Sequence, residues 1–229
     1  MGNRIERSMR VYYFTNAQSA ISNVALRRIK ISRFEDLNDP FELLAVNLGN
    51  GKHRAVFRSA KDALNKKKGV ICFTRSWRNP LLWGHYAEKH AGVCLGFDVP
   101  AKRAVPVDYS KKLLKIEADR VSGKPKLTEE VVKRLSRTKF FDWHYEDEVR
   151  VFVDLEDRVA EAGMYFRPFS KGLILREVIL GPRCELPVGT VRKLVANFDP
   201  PVTVLKARIA FTRFEVLENR KASRIDANI

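Results

Sequence analysis

Cysteine is scarce and scattered: only Cys72, Cys94 and Cys184 occur, with no CxxC pair among them. That excludes a zinc ribbon and a disulfide framework, and it fits reduced thiols in a cytoplasmic protein. The phosphate loop GxxxxGK[ST], the dinucleotide fingerprint GxGxxG, the zinc motif HExxH and the nucleophile elbow GxSxG are all missing. The four histidines, His53, His85, His90 and His144, have no zinc spacing, so no metal site is expected. No apolar run reaches membrane-spanning length, and MGNRIERSMR lacks the apolar core of a signal peptide. A soluble protein with no membrane partner is the expectation. Repeats and low-complexity segments are also lacking. Acidic residues are in short supply, 27 against 43 Lys and Arg, which leaves a formal net charge of +16. Such an excess attracts polyanions and says nothing about fold. Nucleic acid is the first candidate, with nucleotide phosphates or an acidic partner protein behind it.

What is present suffices for a core, since 45% of the 229 residues are hydrophobic and 10% aromatic. RVYYFT (10–15) reads as a strand, and Thr15 or Asn16 can cap a helix from residue 17. NDPFE (38–42) has the pattern of a capping box, with Pro40 at the first helical position. The spacing predicts a basic helix over 53–69 ending at Gly69, a strand over 70–74, and a helix over 81–90 with Gly92 just past its end. A second long helix follows Thr128 and runs to residue 145. Strands are expected at 148–155 and 173–182, a helix at 187–198, and a strand or hairpin at 202–217. The polar stretch 109–127 is a candidate mobile insertion. Residues 1–9 read as an N-terminal extension and 218–229 as a frayed tail. Strands and helices mix without steady βαβ alternation. The expectation is one α+β domain over 10–217, with a central mixed or antiparallel sheet and flanking helices.

Three stretches carry candidate chemistry. LLWGHYAEKHAGVCLGFD (81–98) would place Trp83, Tyr86 and His90 on one helical face. That face either packs on the sheet, with His90 charged near the helix C-terminus, or walls a site. In NDPFE, capping accounts for Asp39 and Glu42 and a turn for Asn38, although a helix N-terminus also attracts anions. In KFFDWHYEDEVR (139–150), Lys139 and Trp143 are four apart on the expected helix. Glu146, Glu148 and Arg150 alternate, so an extended chain puts them on one face. They form either a surface ion-pair row or a working carboxylate held by a guanidinium.

Taken together, NDPFE, ICFT (71–74) with the 81–98 stretch, and KFFDWHYEDEVRVF (139–152) resemble a widespread bacterial domain-of-unknown-function family. Its motifs are NDPFE, CFS/T, MWxHYAxxHxG followed by a hydrophobic-Cys-hydrophobic-Gly-Phe strand, and KxxxWxYExExR. The match spans Val11 to Pro182, and Leu82 replaces the common methionine before Trp83. The order of elements also resembles the layout of ADP-ribosyltransferase-like toxins. That resemblance implies NAD as cofactor and a toxin or defence role acting on nucleic acid or protein. It implies Glu148 as the late catalytic glutamate with Glu146 as its rival, and Arg150 and Asn38 orienting it or a phosphate. Thr74, or else Tyr86, would be the central residue, and Trp83, Tyr86 and His90 would wall the pocket. Tyr13 stands where that superfamily has His or Arg. The alternatives are a non-catalytic nucleic-acid-binding module, with the helices at 53–68 and 128–139 tracking phosphates, and a nuclease or hydrolase using His85, His90 and the carboxylates.

Overall fold

The computed structural model describes residues 7–117, 123–155 and 160–224. In chain order the strands are β1 (Ser8–Thr15), β2 (Arg28–Ile31), β3 (Lys68–Thr74), β4 (Val93–Pro100), β5 (Val105–Pro106), β6 (Asp108–Ser110), β7 (Thr138–Phe140), β8 (Glu148–Asp154), β9 (Tyr165–Pro168), β10 (Ile174–Leu180), β11 (Thr203–Ile209) and β12 (Val216–Glu218). The helices are α1 (Ala17–Ala25), α2 (Gly51–Lys67), α3 (Pro80–Tyr86), α4 (Glu129–Leu135), α5 (Val188–Val195) and α6 (Arg220–Arg224). The class is α+β, with mixed sheet flanked by helices, as the unsteady alternation of elements predicts.

The chain divides into two compact units, one built from residues 7–30, 73–104 and 166–224, the other from 31–72 and 105–165. In the first unit the strand order is β12-β11-β10-β4-β1. β1 and β4 pair antiparallel over their full length, from Ser8 opposite Pro100 to Thr15 opposite Val93, while β10 and β11 run parallel. Period-two alternation then gives the sheet two faces. Phe14, Cys94 and Ile179 lie on one face and gather around the fully buried Trp83 of α3, joined by Ala207 and Val216. Helices α1 and α5 pack on β4 and β11. Asn16, not Thr15, caps α1: its Oδ1 accepts from the Ser19 N–H at 2.7 Å.

The second unit has its own core of Phe34, Leu43, Val46, Phe57, Val70 and Leu135. In it β8 pairs antiparallel with β5. β6 and β7 form a parallel pair, Asp108 opposite Thr138. The described parts of 109–127 contact the rest of the second unit. Leu114 donates its N–H to the Ala45 carbonyl at 2.7 Å, and Leu114, Ile116 and Leu127 pack against the core. Residues 118–122 of that stretch lie outside the described residues. Part of the expected tail is tied down as well. The Lys206 N–H donates to Ser223 Oγ at 3.0 Å, and Ser223 is buried. Its residues 225–229, like 1–6 of the N-terminal extension, lie outside the described residues, whereas Ser8 and Met9 belong to β1.

Three helix expectations fail for local reasons. NDPFE forms a turn and not a helix start. Asp39 Oδ1 accepts from the Phe41 N–H at 2.9 Å, an Asx turn, and Leu43 takes a left-handed φ of 62°. The helix after Thr128 stops at Leu135, because the hydroxyls of Ser136 and Thr138 bond back to the Lys133 and Arg134 carbonyls before β7 begins. Gly69 caps nothing. It sits in β3, where a Cβ would stand 2.4 Å from Ile31 Cγ2.

The helix at 81–90 also ends early, at Tyr86. Glu88, Lys89 and His90 follow with φ of 50°, 51° and 75°, a left-handed run of non-glycine residues. His90 is therefore not on the Trp83 face of a helix, although its N–H reaches the Trp83 carbonyl at 3.1 Å. Gly92 closes the turn where backbone leaves no room: a Cβ there would lie 2.3 Å from the Thr15 carbonyl oxygen and 2.8 Å from the Ala87 carbonyl carbon. Gly84, within α3, has nothing nearer than 3.9 Å. Accordingly Gly92→Ala should lose about 1–3 kcal/mol in chemical denaturation, as overpacking against backbone does. Gly84→Ala should be neutral or gain up to about 1 kcal/mol from helix propensity. Equal effects at the two positions would contradict this account of the turn.

Candidate functional site

Strand β8 brings Glu148 and Arg150 onto one face, as their alternation predicts, and both are almost completely enclosed, at 4% and 1% exposure. A guanidinium has five N–H bonds in a fixed fork, and in Arg150 all five are engaged. Nη1 donates to Glu42 Oε1 at 2.6 Å and to the Ser136 carbonyl at 2.7 Å. Nη2 donates to Glu42 Oε2 at 2.8 Å and to Glu148 Oε2 at 3.2 Å, and Nε to Glu148 Oε1 at 2.8 Å. The Lys139 ammonium extends the network, bonding Glu146 at 2.5 Å and Glu148 at 3.3 Å with the Trp143 ring 4.9 Å away. The Lys139–Trp143 contact is thus real, although β7 and a 3-10 turn (Phe141–Glu146) carry it where a helix was expected. Tyr109 accepts the Glu148 N–H at 2.7 Å, and the half-buried Cys72 thiol hydrogen-bonds the Glu148 carboxylate.

Three carboxylates face two cations, so formal charge does not balance. Burial pushes Glu148 up, but Arg150 and Lys139 together outweigh it and hold the carboxyl down at about 2. At Glu42 burial wins, and the carboxyl lies above its usual range despite the bidentate arginine. The reason is geometric. Arg150 divides one charge between two carboxylates; Lys139 bonds Glu148 directly but reaches Glu42 only through space, and the Glu148 charge itself pushes Glu42 up. Burial, then Glu148 itself, pushes the Cys72 thiol far up, which makes it a poor nucleophile. Burial likewise moves Tyr109 to about 12.

The remaining sequence candidates are distributed as follows. Asn38 is exposed, in the same unit as Glu146, Glu148 and Arg150. Tyr13, Thr74, Trp83, Tyr86 and His90 belong to the other unit. Trp83 presents no face to solvent. It is sealed in the core, donates Nε1–H to the Trp77 carbonyl at 2.6 Å and meets Phe14 edge-on at 5.0 Å. That is the packing alternative for the 81–98 stretch. Burial and then Arg183 lower the His90 pKa, opposite to the charged imidazole expected at a helix end. Thr74 is buried and bonds the Ser76 backbone, Tyr13 lies edge-on to Phe73, and Tyr86 is half-buried beside His85. Glu42 is the network member that sequence reasoning assigned elsewhere: its capping-box spacing had a complete local explanation.

The first unit holds a surface that sequence reasoning did not pick out. Trp77, Arg78, Arg208, Arg213, Arg220 and Lys221 line an open hollow of about 570 Å³ to which the β11–β12 hairpin contributes. Glu215 bonds Arg213 at 2.9 Å, and Glu218 also lines the hollow. The local balance stays strongly positive. FTRFE (211–215), with one arginine between two phenylalanines, was the legible hint.

No family model, no curated protein and no solved structure matches this chain. Among the described residues, no helix is long and apolar enough to cross a membrane.

Buried charge fixes how the network responds to substitution and pH. Arg150→Met should lose about 3–5 kcal/mol in urea titration, because Glu42 and Glu148 are left without their guanidinium. Arg150→Lys should not restore it, since an ammonium cannot span both carboxylates. Glu42→Gln should cost less than Glu148→Gln, because Glu42 carries the excess charge. The depressed Glu148 pKa contributes stability that is full above its ordinary value of 4.5 and is lost as pH falls through about 2. The raised Glu42 pKa works in the opposite sense. Unfolding free energy measured against pH should therefore fall on this acid limb, and Glu148→Gln should flatten it.

Proposed function

We propose that this protein binds nucleic acid, docking phosphates in the basic hollow of the first unit, and that it does so in the cytoplasm, where its three free thiols stay reduced. The observation that carries the reading is the concentration of five cationic side chains and an indole around one concavity with a single carboxylate in its lining. Spread over a surface, a charge of +16 is only a solubility term. Gathered around a groove, arginines offer paired N–H donors with the geometry of phosphate oxygens. On this reading the buried carboxylate–guanidinium network fixes the fold of the second unit, and the motif residues are there to hold it.

A second reading, NAD-dependent ADP-ribosyl transfer, draws support from one feature. Glu148 stays ionised between Arg150 and Lys139, the charge state that a residue stabilising an oxocarbenium requires. It ranks behind because both Glu148 oxygens are occupied by cations and the residue is 4% exposed, so a ribose has no approach to it.

Fluorescence anisotropy with a labelled oligonucleotide at graded salt tests both. Affinity should fall steeply with salt, and replacing Arg208 and Arg220 by alanine should weaken binding and lower the slope of log K against log salt by about 1 per residue. Glu148→Gln should leave binding unchanged. Saturable calorimetric binding of NAD, lost in Glu148→Gln, together with no oligonucleotide binding at low salt, would transfer the function to the second reading.

A further inference from the structure

The hairpin that contributes to the basic hollow ends in two phenyl rings that the fold does not use. Phe211 and Phe214 are 91% and 98% exposed, far beyond the other large apolar residues on the described surface. They stand on an ordered base. Ile209 pairs with Val216, the Ala210 N–H donates to the Glu215 carbonyl at 2.9 Å, and Val216 is fully buried. Two rings held in water on a braced loop cost solvation without adding to the core, so their use lies with a partner. The chemistry around them narrows that partner. The Arg208 guanidinium lies over the Phe211 ring, 4.9 Å from its centroid, so a phosphate-binding cation and an aromatic ring stand side by side on the hairpin. Arg213 stands between the two phenylalanines in sequence, and Arg78, Arg220 and Lys221 line the hollow.

We infer that Phe211 and Phe214 form a stacking platform for unpaired bases, and that the ligand of this surface is single-stranded nucleic acid. This rests on the nucleic-acid reading above and sharpens it. The bases of a duplex stack on one another and offer no free face, whereas in a single strand each base has a face for a ring while its phosphates run along the arginines. A lipid bilayer is the competing occupant for exposed phenylalanines among cations. The hollow argues against it: concave basic walls suit a backbone that threads through them, whereas a flat membrane touches only the hairpin tip.

Anisotropy titrations with a labelled oligothymidylate, with a duplex of equal length, and with vesicles of phosphatidylserine and phosphatidylcholine separate the cases. The wild-type chain should prefer the single strand. Phe211→Ala and Phe214→Ala should each weaken single-strand binding about tenfold, with the salt slope unchanged because no charge is removed. Duplex binding should not move, and Phe211→Tyr with Phe214→Tyr should retain the wild-type affinity. Both side chains lie outside the core, so circular dichroism and melting temperature should match the wild type. Single-strand binding that ignores both alanine substitutions overturns the platform while leaving nucleic-acid binding intact. No binding of either strand form removes the broader reading as well. Vesicle binding that depends on the rings, without oligonucleotide binding, assigns them to a membrane and overturns the inference.

Discussion

A guanidinium buried to 1% exposure with every N–H engaged ties together the second unit. Placing an ion there costs several kcal/mol of hydration, recovered only when geometry and partners are complete. Arg150 meets that condition by joining chain segments far apart in sequence: the turn holding Glu42, 108 residues away, the end of α4 at Ser136, and its own strand through Glu148. Lys139 adds β7 and the 3-10 turn at Glu146. A half-assembled version leaves a bare charge in apolar surroundings, so the network forms as a whole or not at all. The uneven charge count follows from the same arrangement, with Glu148 deeply ionised and Glu42 pushed the other way.

The first unit is held by different means. Its sheet is closed by the fully buried Trp83 and by backbone packed so tightly at Gly92 that no side chain fits. Polar demands are met locally, as when Trp83 donates to Trp77 six residues back. With stability secured inside, the β11–β12 hairpin is free to carry arginines and phenylalanines in water. The side chains that hold that unit together and those exposed on its hairpin are then different residues.

Much of this was legible beforehand, and the failures share a cause. Strand β8 and its Glu148–Arg150 face follow from alternation, α1 with a cap at Thr15 or Asn16 from residue type, and a final strand or hairpin from composition. Two helix ends were misplaced because helical spacing does not record where Ser136 and Thr138 turn their hydroxyls back, or that Glu88 to His90 adopt left-handed backbone. Glu42 was misassigned because a capping box and a buried ion pair require the same carboxylate.

The sequence by itself determined the class of fold, the excess of positive charge, and which side chains share a face within one strand or helix. These depend on neighbours a few residues apart, at repeats set by backbone geometry. Only the tertiary structure decided that Glu42 belongs to Arg150, that Trp83 is sealed away, and that scattered arginines line one hollow. Each is a meeting of distant residues, and which ones meet is settled by burial and charge pairing summed over the whole chain.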